Sequence, residues 1–203
     1  MIIISAKTNL FPMSDNIEST IIGKLVKNHT IIDNTETQRD LELKGLGEFN
    51  KSDFFLKPFE SLYLLYTGKL NLRSGNKKIK FNDFLQTCIK ADPDALTKFL
   101  IFRDLRTKGY IVRDGFGFGS DFRVYERGQF GNKDAKYLVF ALNEGKQEKI
   151  GKLQKKIEEI TKMGKEPIIS VIERRGEIIY YKISRINFLK NKVSMDMKDF
   201  DFS

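Results

Sequence analysis

The sequence predicts an α/β protein of the α+β type, in which a small mixed N-terminal domain precedes a larger α/β C-terminal domain. Three observations carry this. Short strand-like and helix-like runs alternate over the first ninety residues, an Asp92-Pro93 pair punctuates the chain, and strand patterns then surround two amphipathic helices. The boundaries expected are 1–90 for the N-terminal domain, 91–189 for the C-terminal domain and 190–203 for a polar tail. At 203 residues, either part is large enough to bury a modest core.

Within the first part, Ile2-Ile3-Ile4 and Ile31-Ile32 read as strands. Thr35 to Leu46 reads as a helix that stops at Gly45 or Gly47. Pro58 to Thr67 places Phe59, Leu62, Leu65 and Tyr66 at helical spacing, and Gly68 supplies the stop. Leu70 to Leu72 and Ile79 to Phe81 flank a Ser74-Gly75-Asn76 turn, as in a hairpin. Asn82 is a candidate cap for a helix running to Ile89.

In the second part, Asp92 suits an N-cap, whose carboxylate accepts from the free amides of a first turn. Pro93 suits the first helical position, where no amide donor is needed. Leu96, Phe99, Leu100, Phe102 and Leu105 continue the helix to Lys108-Gly109, a cation and then a C′ glycine. Tyr110 to Val112, Asp121 to Tyr125 and Tyr137 to Leu142 read as strands. Ile150 to Met163 reads as an amphipathic helix with lysines on its polar face. Ile168 to Ile172 and Ile178 to Ile183 form a hairpin about Arg174-Arg175-Gly176. Ile186 to Leu189 is a candidate last strand, and Phe200 and Phe202 stand in the polar tail.

Composition narrows the function. The 36 Lys and Arg against 27 Asp and Glu leave a net charge of +9. A surplus of that size favours a polyanionic partner, with nucleic acid first; a solvated lysine-rich surface is the plain alternative. No apolar run approaches the ~20 residues of a membrane span, and Met1-Ile2-Ile3-Ile4 is too short for a secretory signal. One cysteine, Cys88, excludes an internal disulfide framework and a cysteine metal cluster. A cytoplasmic protein is expected, with no membrane partner.

Several phrases occur in order: Pro58-Phe59-Glu60-Ser61-Leu62-Tyr63-Leu64-Leu65 with Gly68-Lys69-Leu70; Arg103-Asp104-Leu105-Arg106 with Lys108-Gly109-Tyr110; Phe118-Gly119-Ser120-Asp121-Phe122 with Val124-Tyr125; and Tyr137-Leu138-Val139. Together, from about residue 30 to about residue 188, they resemble the archaeal tRNA-splicing (tRNA-intron) endonucleases. The resemblance implies a nuclease-like C-terminal domain, a mixed sheet flanked by helices, and precursor tRNA as substrate. It also implies cleavage without a metal or other cofactor. The 2′-hydroxyl beside the scissile bond attacks phosphorus and leaves a 2′,3′-cyclic phosphate and a 5′-hydroxyl. That reaction needs a base, an acid and a cation near the phosphorane, which the family supplies as tyrosine, histidine and lysine.

The tyrosine position matches Tyr125 and the lysine position matches Lys165. The histidine position, three residues before Tyr137, is Asp134, and the chain's single histidine is His29. An aspartate titrates near ~4 in solution, so it holds no proton to give at neutral pH and brings negative charge beside a dianionic phosphorane. Loss of a general acid costs ~10²–10⁴ in rate. The expectation is a non-catalytic copy, a structural subunit that assembles with a histidine-bearing homologue, two plus two. On spacing alone, Tyr125 reads first as a packing aromatic at a strand end and Lys165 as one lysine among many.

Candidate RNA contacts are Lys133 and Lys136, beside the histidine position, and Arg174-Arg175 in the hairpin turn. Ile178, Ile179, Tyr180 and Tyr181 are the expected dimer contact, because family members pair through this edge; an ordinary core hairpin is the alternative, and both hold if opposite faces serve them. The family's hairpin turn is usually acidic and inserts into a neighbour's basic groove, whereas here it reads Glu173-Arg174-Arg175-Gly176-Glu177. Three outcomes remain open: a changed groove, contact through Glu173 and Glu177, or a turn that faces RNA. A rival class also exists. Asp134-Ala135-Lys136 with Asp121 upstream has the composition of a restriction-like site, in which paired carboxylates and a lysine hold a divalent metal. A stand-alone RNA-binding protein is a third reading. Gly115-Phe116-Gly117-Phe118-Gly119 alternates glycines but lacks the helix start and lysine of a phosphate loop.

Overall fold

A computed structural model describes residues 20–115, 117, 119–143 and 150–183. The strands expected at Ile2-Ile3-Ile4 and Ile186 to Leu189, and the tail with Phe200 and Phe202, lie outside the described residues.

The architecture is mixed α/β. The first half runs β1 (Ile21–Val26), β2 (His29–Ile31), α1 (Thr35–Leu43), β3 (Glu48–Asn50), β4 (Asp53–Leu56), α2 (Pro58–Tyr66), β5 (Leu70–Ser74), β6 (Lys77–Lys78) and α3 (Phe81–Ala91). Its six strands form one sheet in the order β3-β4-β2-β1-β5-β6, with β1 and β5 parallel and the remaining pairs antiparallel. The second half runs α4 (Ala95–Thr107), β7 (Ile111–Asp114), β8 (Phe122–Tyr125), β9 (Tyr137–Asn143), α5 (Ile150–Lys162), β10 (Glu166–Ile172) and β11 (Ile178–Lys182). Its sheet is β11-β10-β9-β8-β7, with only β9 and β10 parallel, joined by the α5 crossover.

Local chemistry explains most element ends. Asn34 caps α1, its side-chain oxygen accepting the Thr37 N–H at 2.8 Å. At the end of α4 the Tyr110 N–H reaches the Leu105 carbonyl and the Gly109 N–H reaches that of Arg106, with Gly109 at φ +82°, which is a Schellman stop. Three expectations shift. Phe81 opens α3 rather than closing a hairpin strand; the turn is the tighter Gly75-Asn76, and β6 ends at Lys78. Asn82 therefore sits inside α3, preceded by Lys80 with no side-chain cap. Asp92 closes α3, and α4 begins at Ala95 after Asp94. The Asp92 carboxylate still accepts the Asp94 N–H at 2.9 Å, so it anchors the turn between the two helices.

The two sheets share one apolar core. Helix α2 buries Phe59, Leu62 and Leu64 in this core, and α4 turns Phe102 toward Phe122 of the second sheet while its Phe99 packs on Tyr66 of α2 and Phe81 of α3. Phe59 packs against Phe102 at 5.0 Å and edge-on to Phe122 at 5.2 Å. Period-two alternation along β9 sends Val139 and Ala141 to this core, and Leu138 and Phe140 to the opposite face, where Ile160 of α5 and Ile169 complete a smaller cluster. Polar bonds cross the same seam: Arg106 donates to the Lys44 carbonyl at 2.9 Å, and Lys57 pairs with Asp114 at 3.2 Å.

Candidate functional site

Tyr125 closes β8, Asp134 precedes β9 and Lys165 precedes β10. The register pairs Val124 with Tyr137 and Tyr137 with Glu166, so all three positions fall at the same end of three adjacent strands. Lys165 is held by its turn: Gly164 takes φ +71°, and the Lys165 N–H returns to the Ile160 carbonyl at 3.2 Å. Its ammonium then donates to the Ala135 carbonyl at 2.8 Å, one residue from Asp134. Asp134 is exposed. Tyr125 is half-buried, and its ring meets Phe130 edge-on at 5.0 Å. A Cβ at Gly45 would lie 3.4 Å from Phe130 and 2.4 Å from Ile111, so this glycine lets the first half approach the Tyr125 end of the sheet.

Carboxylates occupy the ground between these positions. Lys136 is ion-paired with Glu126 and lies 3.9 Å from Glu166, which also holds Lys182 at 2.8 Å. The hydrogen bond to Glu126 raises the Lys136 ammonium above its ordinary value, and the same bond lowers the Glu126 carboxyl. Lys136, a candidate RNA contact, is thus committed to its own sheet, whereas Lys133 stands exposed on the preceding turn. Glu126 and Glu166 directly follow Tyr125 and Lys165 in the chain, but only the strand register shows that they converge.

Arg174 and Arg175 lie elsewhere. They occupy the turn after β10, at the far end of a seven-residue strand from Lys165, about 20 Å away at ~3.3 Å per residue. The turn closes through the Glu173 N–H to the Glu177 carbonyl at 3.0 Å, with Gly176 at φ +80°.

The four residues expected at a subunit contact lie on β11, an edge strand of the second sheet. They divide by parity. Ile178 and Tyr180 pack against the main core. The Tyr180 hydroxyl donates to Asp104 Oδ2 at 2.6 Å, and the Lys108 ammonium lies 4.9 Å above its ring. Burial, then the Asp104 charge, push this phenol far above its usual range. Ile179 and Tyr181 point to the other face.

The restriction-like set does not assemble. Asp121 accepts the Ala141 N–H at 2.8 Å and lies 3.6 Å from the Lys98 ammonium, at the start of β8. Asp134 is at the opposite end of that strand, about 13 Å along. Among the described residues, no three His, Cys, Asp or Glu side chains converge as metal ligands.

A cavity of about 330 Å³ opens at the Asp121 end, lined by His29, Lys57, Lys98, Asp114, Ser120 and Asp121 among others. Its cations are matched within it, Lys57 to Asp114 and to nearby Glu48 (2.9 Å), Lys98 to Asp92 and Asp121. His29 stacks on Phe55 at 5.2 Å, and burial, with Lys57 nearby, lowers its pKa. The chain's one imidazole is therefore far from Tyr125 and Lys165.

Comparison with known proteins gives consistent matches. Residues 21–85 match a family model described as tRNA intron endonuclease, N-terminal domain, and residues 95–180 match tRNA intron endonuclease, catalytic C-terminal domain. The chain is 30% identical over 167 residues to a tRNA-splicing endonuclease of Methanococcus maripaludis, covering 82% of this chain and 94% of that protein. A tRNA-splicing endonuclease of Thermococcus onnurineus is 29% identical over 142 residues, covering 70% and 82%. One from Pyrococcus furiosus is 29% identical over 145 residues, covering 71% and 84%. Among the described residues, no helix is long and apolar enough to cross a membrane.

Proposed function

Because this chain belongs to the tRNA intron endonuclease family, we propose that it is the structural subunit of a heteromeric enzyme that excises introns from precursor tRNA. The domains proposed are 1–90 and 91–189, followed by a polar tail. In the partner that cuts, a tyrosine takes the proton of the 2′-hydroxyl, a histidine gives one to the departing 5′-oxygen, and a lysine offsets charge on the phosphorane, yielding a 2′,3′-cyclic phosphate. Here Tyr125 and Lys165 keep two of those positions and Asp134 takes the third. One observation carries the reading: the end of the sheet that bears Tyr125 and Lys165 has a carboxylate where an acid is needed.

The neighbouring charges support it. Lys165 is engaged by the Ala135 carbonyl and Lys136 by Glu126, so these two cations are spent on the sheet's own groups. No such pairing helps a polyanionic transition state. The half-buried Ile179 and Tyr181, on the other face of edge strand β11, are the proposed contact with the histidine-bearing homologue, while Ile178 and Tyr180 serve the core.

The test is reconstitution. The purified chain should bind precursor tRNA weakly, with affinity that falls as salt rises, and should not cut it. Mixed with a histidine-bearing homologue, it should form a hetero-oligomer, two plus two by mass, and cleave without added metal. Robust metal-independent cleavage by the chain alone would overturn the assignment.

A further inference from the structure

We infer that the outward face of the first sheet, at its β1-β5-β6 side, is an RNA-backbone contact centred on Lys24, Arg73 and Lys78; this rests on the reading above that the chain handles precursor tRNA.

The register makes the row. Lys24 on β1 pairs with Arg73 on β5, and Arg73 pairs with Lys78 on β6. Directly paired residues share a face and have Cβ atoms ~5 Å apart, so three cations stand abreast across three strands. All three are exposed. Lys24 has one carboxylate, Asp33 at 2.5 Å, with both side chains more than half exposed. For Arg73 and Lys78 no ion pair occurs among the described residues. Like charges placed directly opposite each other destabilise a sheet. A row that the fold gains nothing from is accounted for by an outside anion.

Charge segregation strengthens this. Between Glu60 and Asp83 the chain has no acidic residue but five cations: Lys69, Arg73, Lys77, Lys78 and Lys80. Apart from Asp33, the strands of this face carry their carboxylates at the opposite edge, Glu48 on β3 and Asp53 on β4, as the pairing of Glu48 with Phe55 and Phe55 with Ile31 requires. A uniformly solvated lysine surface would mix the two signs. Beside the cations, Ile22 and Val26 are 65% and 47% exposed on β1, giving apolar area next to the charge. Regularly spaced cations on an open face, without a closed pocket, fit a phosphate backbone.

The experiment compares the full chain with Lys24→Glu/Arg73→Glu/Lys78→Glu, titrating labelled precursor tRNA between 50 and 300 mM KCl. The slope of log affinity against log salt should become shallower by about 2 to 3, at ~0.9 per phosphate contact, and affinity at 100 mM should fall at least tenfold. A control, Lys51→Glu/Lys155→Glu/Lys162→Glu, removes the same charge from exposed positions elsewhere and should cost less than threefold. Equal melting temperatures establish that both variants are folded. Wild-type affinity in the first variant, or an equal loss in the control, overturns the inference. Reconstituted cleavage separates the two readings. A wild-type mixture that cuts while the triple variant binds normally defeats only the surface. An RNA contact that depends on Arg73 in a mixture that never cuts defeats only the splicing role.

Discussion

The Tyr180 hydroxyl donates to Asp104 Oδ2 at 2.6 Å and so fastens the edge strand β11 to helix α4. Asp104 also holds Lys108 at 2.5 Å, one turn along the helix. The polar end of Tyr180 thus serves the chain's own fold, whereas Ile179 and Tyr181 lie half-buried on the other face of the strand.

Tyr180→Phe should cost about 1–2 kcal/mol of stability, the worth of a half-buried hydrogen bond to a charged acceptor, read from urea unfolding. Assembly with the catalytic partner should survive it, whereas Ile179→Asp should block assembly. The raised Tyr180 pKa gives the pH sense. The folded state keeps the phenol proton after the unfolded chain begins to lose it near ~10, so this contribution is whole below pH ~10 and is lost as pH rises above it. Tyr180→Phe should flatten that alkaline decline; an unchanged decline would assign it to other groups.

Glu60 is buried, accepting the Gly47 N–H at 3.1 Å and the Lys57 N–H at 2.8 Å, and burial raises its pKa to about 7. Relative to the unfolded carboxyl, its contribution is fully present below pH ~4.5 and is lost as pH rises through 7, about 3 kcal/mol in all. The stability difference between wild type and Glu60→Gln should therefore move against wild type across that window. A difference that is flat with pH would show that Glu60 does not titrate there.

Phe102 is fully buried and touches Phe59, Tyr63 and Phe122. Phe102→Ala should cost about 3–5 kcal/mol. Because one apolar cluster spans both sheets, far-ultraviolet circular dichroism and tyrosine fluorescence should report one coincident transition. Two separated transitions would mean that the halves unfold independently.

In the reconstituted enzyme, Tyr125→Phe on this chain should change the cleavage rate less than about twofold, since the ring keeps its edge contact with Phe130 and removes only a hydroxyl. The matching change on the histidine-bearing partner should cost ~10² or more. Equal losses on the two chains would make this site a participant.

Much of the fold was legible in the residues. Helices α1, α2, α4 and α5 and strands β8 to β11 follow from apolar spacing and glycine stops. Strand β1 was not read, although Ile21, Gly23 and Leu25 face inward at period two, because Ile22 and Val26 on the outer face are also apolar and blur the alternation. The β3–β4 hairpin was hidden differently: Lys51 sits at φ +57° in its turn, where glycine is the usual signal.

By itself, the sequence determined the α/β class, the family phrases and the residues at the three expected site positions, since each depends on local periodicity or on identity at a given spacing. Only tertiary structure decided which charges meet. Glu126 and Glu166 surround Lys136, Asp121 stands apart from Asp134, Tyr180 turns inward and Lys24 aligns with Arg73, because strand register sets each of these across long stretches of chain.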